Sequence, residues 1–173
     1  MYDLRRSQGG NQNDKKYELV LDDTISFWGW KLFRIRALIS FGSVEVGDLG
    51  GYIEKEENLS HDGNAWVSGD AEVSGNAKVS GDAEVWGDAK VWGDAEVSGN
   101  AKVSELGDII VFKNHWSSGR HFTYTKSNKM WKVGCFYGTG QELIEKAYRD
   151  SEKSGNYYKA YVDFVENLEK LGD

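Results

Sequence analysis

The chain has 173 residues, 21 basic and 28 acidic side chains, a net charge of −7, no proline and a single cysteine. Hydrophobic residues at 39% suffice for one compact domain with appendages, and no run approaches the roughly 18 consecutive apolar residues that span a bilayer. One cysteine, Cys135, excludes an intrachain disulfide and any CxxC metal pattern.

Residues 1–16, MYDLRRSQGGNQNDKK, contain no apolar centre of the kind a secretory signal needs. They read as a flexible polar tail, and a cytoplasmic setting is expected. Residues 17–45 follow as an N-terminal β cap. YELVL (Tyr17–Leu21) and KLFRIRALISF (Lys31–Phe41) read as strands, and DDTISFWGW between them as a turn-containing connection.

Residues 46–104 hold a six-residue repeat, G-[D/N]-A-x-V-[S/W], seven times from Gly63 to Ser104. Period-two alternation places Ala and Val on one face of a very short strand and x on the other. Gly followed by Asp or Asn is turn chemistry. Such strands are too short for hairpin arms, but a three-sided coil accommodates them, with three hexads per turn and each strand pairing with the strand eighteen residues on. Val67, Val73, Val79, Val85, Val91, Val97 and Val103 then fill the interior. Val46, Ile53 and Leu59 are expected as earlier interior positions, with an insertion near His61.

These residues resemble the hexapeptide-repeat proteins, which form a left-handed parallel β-helix; about three coils are expected here. The upstream run RIRALISFGSVEVGDLGGYIEKEENLSHDGNAWV, Arg34–Val67, resembles the opening of a family labelled polymer-forming or putative transferase. Its members occur in bacteria and their phages, and from about Tyr17 to Leu171 the chain is similar in style to the phage-borne ones. The handedness is implied by this resemblance alone, since parallel crossovers are otherwise nearly always right-handed.

The x positions read Trp66, Glu72, Lys78, Glu84, Lys90, Glu96, Lys102. Charge alternates every twelve residues while a turn takes eighteen, so Glu72 meets Lys90, Lys78 meets Glu96 and Glu84 meets Lys102. Opposite charges on neighbouring strands fix register. Residues 46–104 still carry four basic and twelve acidic groups. That excess repels phosphate backbones, so direct nucleic-acid binding is not expected, whereas a basic protein suits it. Trp66, Trp86 and Trp92 fall outside the coil beside Glu84, Asp88 and Asp94, and this set is the candidate binding patch. Packing of the tryptophans against the chain's own terminal segments and packing against another subunit are the alternatives.

Residues 105–137 read as an antiparallel element of three strands: DIIVFKN (Asp108–Asn114), HFTYT (His121–Thr125) and MWKVGCFY (Met130–Tyr137). Basic and aromatic residues interleave there, from Lys113 to Phe136. A sheet with one packed and one solvated face is expected, with single-stranded nucleic-acid binding as the alternative. Residues 138–173 read as a helical hairpin. Thr139-Gly-Gln-Glu142 is a capping box. The first helix is expected to run to about Lys153 with Leu143, Ile144, Ala147 and Tyr148 inward, and Ser154-Gly-Asn is the expected break. The second carries a stripe of Tyr157, Tyr161, Phe164, Leu168 and Leu171. It is read as core, with self-association through Tyr161, Phe164 and Leu168, giving a homodimer, left open.

Catalytic candidates are thin. The resemblance implies a histidine between neighbouring coils if the chain is an acyltransferase, and only His61 lies in the coil region. It is expected to be a surface histidine, with a general-base role as the alternative. Cys135 is expected to be a buried structural thiol, with a nucleophile paired to His115 or His121 as the alternative. No metal site and no cofactor are expected. The functional expectation is a non-catalytic, acidic protein-binding module of phage or mobile-element origin. Its partner would be a basic host enzyme that handles nucleic acid, such as a CRISPR nuclease or another defence complex. A His61 acyltransferase and a self-assembling structural protein are the alternatives.

Overall fold

Alternating apolar and polar residues between Tyr17 and Ala37 build a long hairpin, the first element of the computed structural model, which describes residues 15–27 and 29–172. The chain is mainly β with two C-terminal helices. Strands β1 (Tyr17–Phe27) and β2 (Trp30–Ala37) pair antiparallel, with a register shift between Val20 and Thr24. DDTISFWGW is therefore mostly strand, and only its end turns. Lys16 is buried, so the expected polar tail stops short of it; residues 1–14 lie outside the described residues.

β2 pairs antiparallel with β3 (Leu49–Ile53). Seven two-residue strands then follow at each hexad: β4 (Trp66–Val67), β5 (Glu72–Val73), β6 (Lys78–Val79), β7 (Glu84–Val85), β8 (Lys90–Val91), β9 (Glu96–Val97) and β10 (Lys102–Val103). They form three parallel ladders, β3-β5-β8, β4-β7-β10 and β6-β9. Trp66 pairs with Glu84, Glu72 with Lys90, Lys78 with Glu96 and Glu84 with Lys102, all eighteen residues apart. Upstream of His61 the spacing is twenty, as Tyr52 pairs with Glu72 and Leu59 bridges to Val79. The two extra residues thus lie between Leu59 and Val67, where the insertion was expected.

All seven repeat valines and all seven repeat alanines are at most 1% exposed. Each valine contributes about 1.5–3 kcal/mol by leaving water. Ile53 and Leu59 join this core, but Val46 is exposed and Val44 is buried in its place. The corner glycines hold positive φ, and at Gly81 (φ +65°) a Cβ would come within 2.9 Å of the Gly99 amide nitrogen one turn on. Both the turn and the close stacking of corners exclude a side chain there.

The ladders have a direction. The x-position N–H points to a carbonyl one repeat of eighteen on, as in Trp66 N to Ala83 O and Glu72 N to Ala89 O, while parallel pairing returns the valine N–H of the later strand to the x-position carbonyl of the earlier one. The first rungs therefore leave carbonyls such as Ala65 O unpaired by the ladder, and the last leave N–H groups such as that of Lys102. Donors cover the first: the Lys16 ammonium on Ala65 O (2.6 Å), Tyr17 OH on Leu59 O (2.6 Å) and the Asn58 amide on Ala77 O (2.9 Å). Acceptors cover the last: Thr123 Oγ1 for Glu96 N, Ser127 Oγ for Lys102 N and Asp108 Oδ2 for Ser104 N. Each end thus meets side chains of complementary hydrogen-bonding type.

The C-terminal sheet has four strands in sequential order, β11 (Ile109–Lys113), β12 (His121–Thr125), β13 (Met130–Val133) and β14 (Phe136–Thr139). The run expected as a third strand is split by Gly134 (φ +56°), which turns the chain so that Val133 faces Phe136. Cys135 sits exposed on that turn, so it is not the buried thiol expected.

Helix α1 (Gly140–Asp150) starts at the expected capping box: Glu142 N donates to Thr139 Oγ1 and Thr139 N to Glu142 Oε1. It ends before Ser151, three residues earlier than expected, because Ser151 caps α2 (Glu152–Leu171) by accepting from Ser154 N. Gly155 therefore lies inside α2, and the Tyr148 ring fills the space of its missing side chain. Leu143 and Ala147 are buried, while Tyr148 is 41% exposed. The buried face of α2 is Tyr158, Val162 and Val165, one residue round from the expected stripe. Val162 and Val165 are 4% and 2% exposed, whereas Phe164 is 49% exposed and Leu171 more exposed still. This second core, centred on Phe122, Tyr124 and Trp131, is distinct from that of the ladders.

Candidate functional site

The outer face of ladder β4-β7-β10 stacks Trp66, Glu84 and Lys102 in one column. A wall rises beside it from the loop between β2 and β3. Phe41 and Val44 exchange backbone hydrogen bonds of 2.9 and 2.8 Å around Gly42-Ser43, a tight turn that brings Phe41 edge-on to Trp66 at 5.3 Å. The aromatic pair buries Trp66 to 8% exposure, so Trp66 is not part of an exposed patch. It is the floor of a groove of about 840 Å3 lined also by Asp48, Leu49, Asp82, Glu84, Trp86 and Lys102.

Trp86 remains 38% exposed on this groove. Trp92, 48% exposed, belongs to a smaller apolar groove with Trp30, Leu32 and the Gly75 and Gly93 corners. The structure thus parts Trp92 from Trp66 and Trp86, which share one groove, although the three were expected as one patch. Of the expected acids, Glu84 lines the Trp86 groove and ion-pairs with Lys102 at 3.9 Å. Asp88 stands exposed at a corner. Asp94 accepts from the Asn76 amide at 3.3 Å and faces His121 Nδ1 at 3.3 Å, beside a third groove. Sequence reasoning missed Phe41, Asp48 and Asp82. The eighteen-residue phase carried part of the signal, because it stacks Trp66 on Glu84 and puts Trp86 and Trp92 in different columns.

The acids of the Trp86 groove are fixed by the backbone. Asp48 Oδ2 accepts the Glu45 N–H at 2.9 Å, and Asp82 Oδ1 accepts the Asn64 N–H at 3.3 Å. Behind the wall, the buried Lys16 ammonium lies 4.9 Å from the Phe41 ring centre. Burial lowers its pKa to about 8, against the opposing pull of Asp62 and Asp82.

His61 is an anchor for the N-terminal strand. Its Nδ1 accepts the Lys16 N–H at 3.0 Å, its ring stacks on Tyr17 at 4.1 Å, and Nε2 lies 3.6 Å from Glu56 Oε2. Burial, the largest influence, lowers its pKa and favours the neutral ring, with Glu56 opposing. With Nδ1 engaged and one face stacked, the ring presents little to a substrate. Glu56 is the carboxylate neighbour that spacing did not reveal.

Tyr161 packs on Phe112 at 4.9 Å and Leu168 is half-buried, which leaves Phe164 as the exposed member of the expected self-association set. Among the described residues no group of three or more His, Cys, Asp or Glu side chains could hold a metal ion, and no helix is long and apolar enough to cross a membrane. No family model and no curated protein matches the chain.

Proposed function

We propose that the chain is a non-catalytic, acidic protein-binding module on a left-handed, three-sided parallel β-helix of the hexapeptide-repeat kind. The eighteen-residue ladders and the resemblance of the repeat support the architecture. The single observation that carries the function is the Trp86 groove, where an exposed indole lies among fixed carboxylates. The partner is a basic surface, of the sort found on enzymes that handle nucleic acid. The resemblance to phage-borne proteins favours a host defence complex such as a CRISPR nuclease. The His61 environment gives no support to acyl transfer, and covered ladder ends give none to assembly by end-to-end stacking.

The test is capture of a bacterial partner by the full chain, identification by mass spectrometry, and calorimetry with the purified pair. Binding is expected to weaken steeply as salt rises to about 0.5 M. Trp86→Ala should cost about tenfold or more, in the range of a binding hot spot, while Trp92→Ala changes little. Affinity indifferent to both salt and Trp86 would refute the reading.

A further inference from the structure

We propose that the Trp86 groove is built for an arginine side chain on an extended segment of the partner, seated between the indole and the Asp48–Asp82 wall. This inference rests on the protein-binding reading and assigns its site and chemistry. Three observations carry it. First, Glu84 is already neutralised by Lys102, which leaves Asp48 and Asp82 as the acids of the wall. Each has one oxygen tied to a backbone N–H, and the other takes no hydrogen bond among the described residues. Two immobilised carboxylates lose little freedom on receiving a guanidinium. Second, Lys102, already the partner of Glu84, is the only cation among the described residues that line the groove, so an incoming guanidinium meets no unpaired positive charge there. Third, Trp86 and Leu49, 38% and 54% exposed, give a flat and an apolar surface on either side. A planar guanidinium stacks on an indole and forks to carboxylates, whereas a compact ammonium does neither as well. A phosphate or an acidic peptide would meet only repulsion.

The experiment titrates the full chain with capped triarginine, trilysine and triglutamate peptides and follows the indole N–H resonances by NMR. Triarginine should shift the Trp86 indole saturably, with a dissociation constant of about 0.1–1 mM, and leave Trp92 unmoved. Trilysine should bind several-fold more weakly and triglutamate not at all. Asp82→Asn should weaken triarginine at least threefold, and Asp82→Asn with Asp48→Asn at least tenfold. The Asp82 change is safe for the fold, because asparagine occupies the same corner position at Asn64, Asn76 and Asn100. Asp88→Asn, at a corner away from the groove, should change nothing.

Equal shifts at Trp92, or weakening by Asp88→Asn as large as by Asp82→Asn, would overturn the groove assignment. A captured partner whose salt-sensitive binding leaves the Trp86 indole unmoved would overturn it too, while the protein-binding reading would stand. Triarginine seated at Trp86 with no partner captured gives the reverse separation. Removal of residues 1–14 is the last arm. If it alone moves the Trp86 indole, the chain's own Arg5 and Arg6 fill the groove, and the assignment to an outside segment falls.

Discussion

Lys16 and Tyr17 together hold the first turn of the ladders, and their protonation equilibria set opposite pH trends. The folded Lys16 has a pKa of about 8, below its ordinary 10.5. Between those values the unfolded chain binds more protons than the folded one, so stability rises with pH across that window. Tyr17 behaves in the other sense. Burial first, then Glu56 and Glu57, raise its pKa above 10.0, so above about pH 10 the unfolded chain ionises first and stability falls. The urea midpoint is expected to climb from pH 7.5 toward a maximum between about pH 9 and 10 and then decline. Lys16→Met should flatten the climb. It should also cost about 1–3 kcal/mol at pH 7, because Ala65 O loses its donor. A climb of the same size in that variant would assign it to another group.

At the scale of elements, the charge columns act on register and the helix junction acts on packing. Glu72 and Lys90 close to 2.6 Å with Glu72 only 9% exposed. Glu72→Lys should therefore cost about 1–3 kcal/mol, more than the usual value of an exposed pair. Adding Lys90→Glu should recover at least half, which chemical denaturation of the four chains of the cycle would measure. Gly155 gives a sharper case. Alanine inside a helix ordinarily gains about 1 kcal/mol over glycine, but here its Cβ would overlap the Tyr148 ring. Gly155→Ala should destabilise, and in a Tyr148→Ala background the same change should stabilise. A gain in the wild-type background would mean that the junction gives way. These elements also show what the sequence displayed and what it hid. Val67 to Val103 declared the interior because their period is the fold's own period, and Thr139 and Glu142 declared a helix start because capping is local. Trp66 looked exposed because its cover, Phe41, lies twenty-five residues upstream in a turn with no repeat signal. The face of α2 was misjudged because Tyr157, Tyr161 and Phe164 outweigh Tyr158, Val162 and Val165 in apolar size, while closeness to the sheet decides burial. Asp48 and Asp82 were hidden for a similar reason, since each reads as an ordinary turn residue until the loop and the ladder meet.

Over the whole molecule, the direction of the ladders dictates how the ends behave. Thr123 is fully buried and its hydroxyl accepts the Glu96 N–H at 2.9 Å. Thr123→Val keeps the shape and orphans that N–H, so a loss of about 1–3 kcal/mol is expected. For a chain of this length that is a fall of roughly 2–12 °C in Tm by calorimetry. A chain ended after Ser104 retains the repeat core but bares the N–H groups that Thr123, Ser127 and Asp108 cover, an open edge of the kind that recruits another strand. It cannot extend the ladders of the intact chain in parallel register, because the first rungs there are covered by Lys16, Tyr17 and Asn58. A chain begun at Val46 bares those first rungs more fully, although Asn58 stays. Mixing the two shortened chains should give heterodimers by light scattering at lower concentration than either chain needs to associate with itself, because only the mixed pair continues the ladders in parallel register. A chain shortened at both ends should grow head to tail without closing. Self-association of the Ser104-ended chain as strong as its association with the Val46-started chain would show that parallel register does not govern the ends.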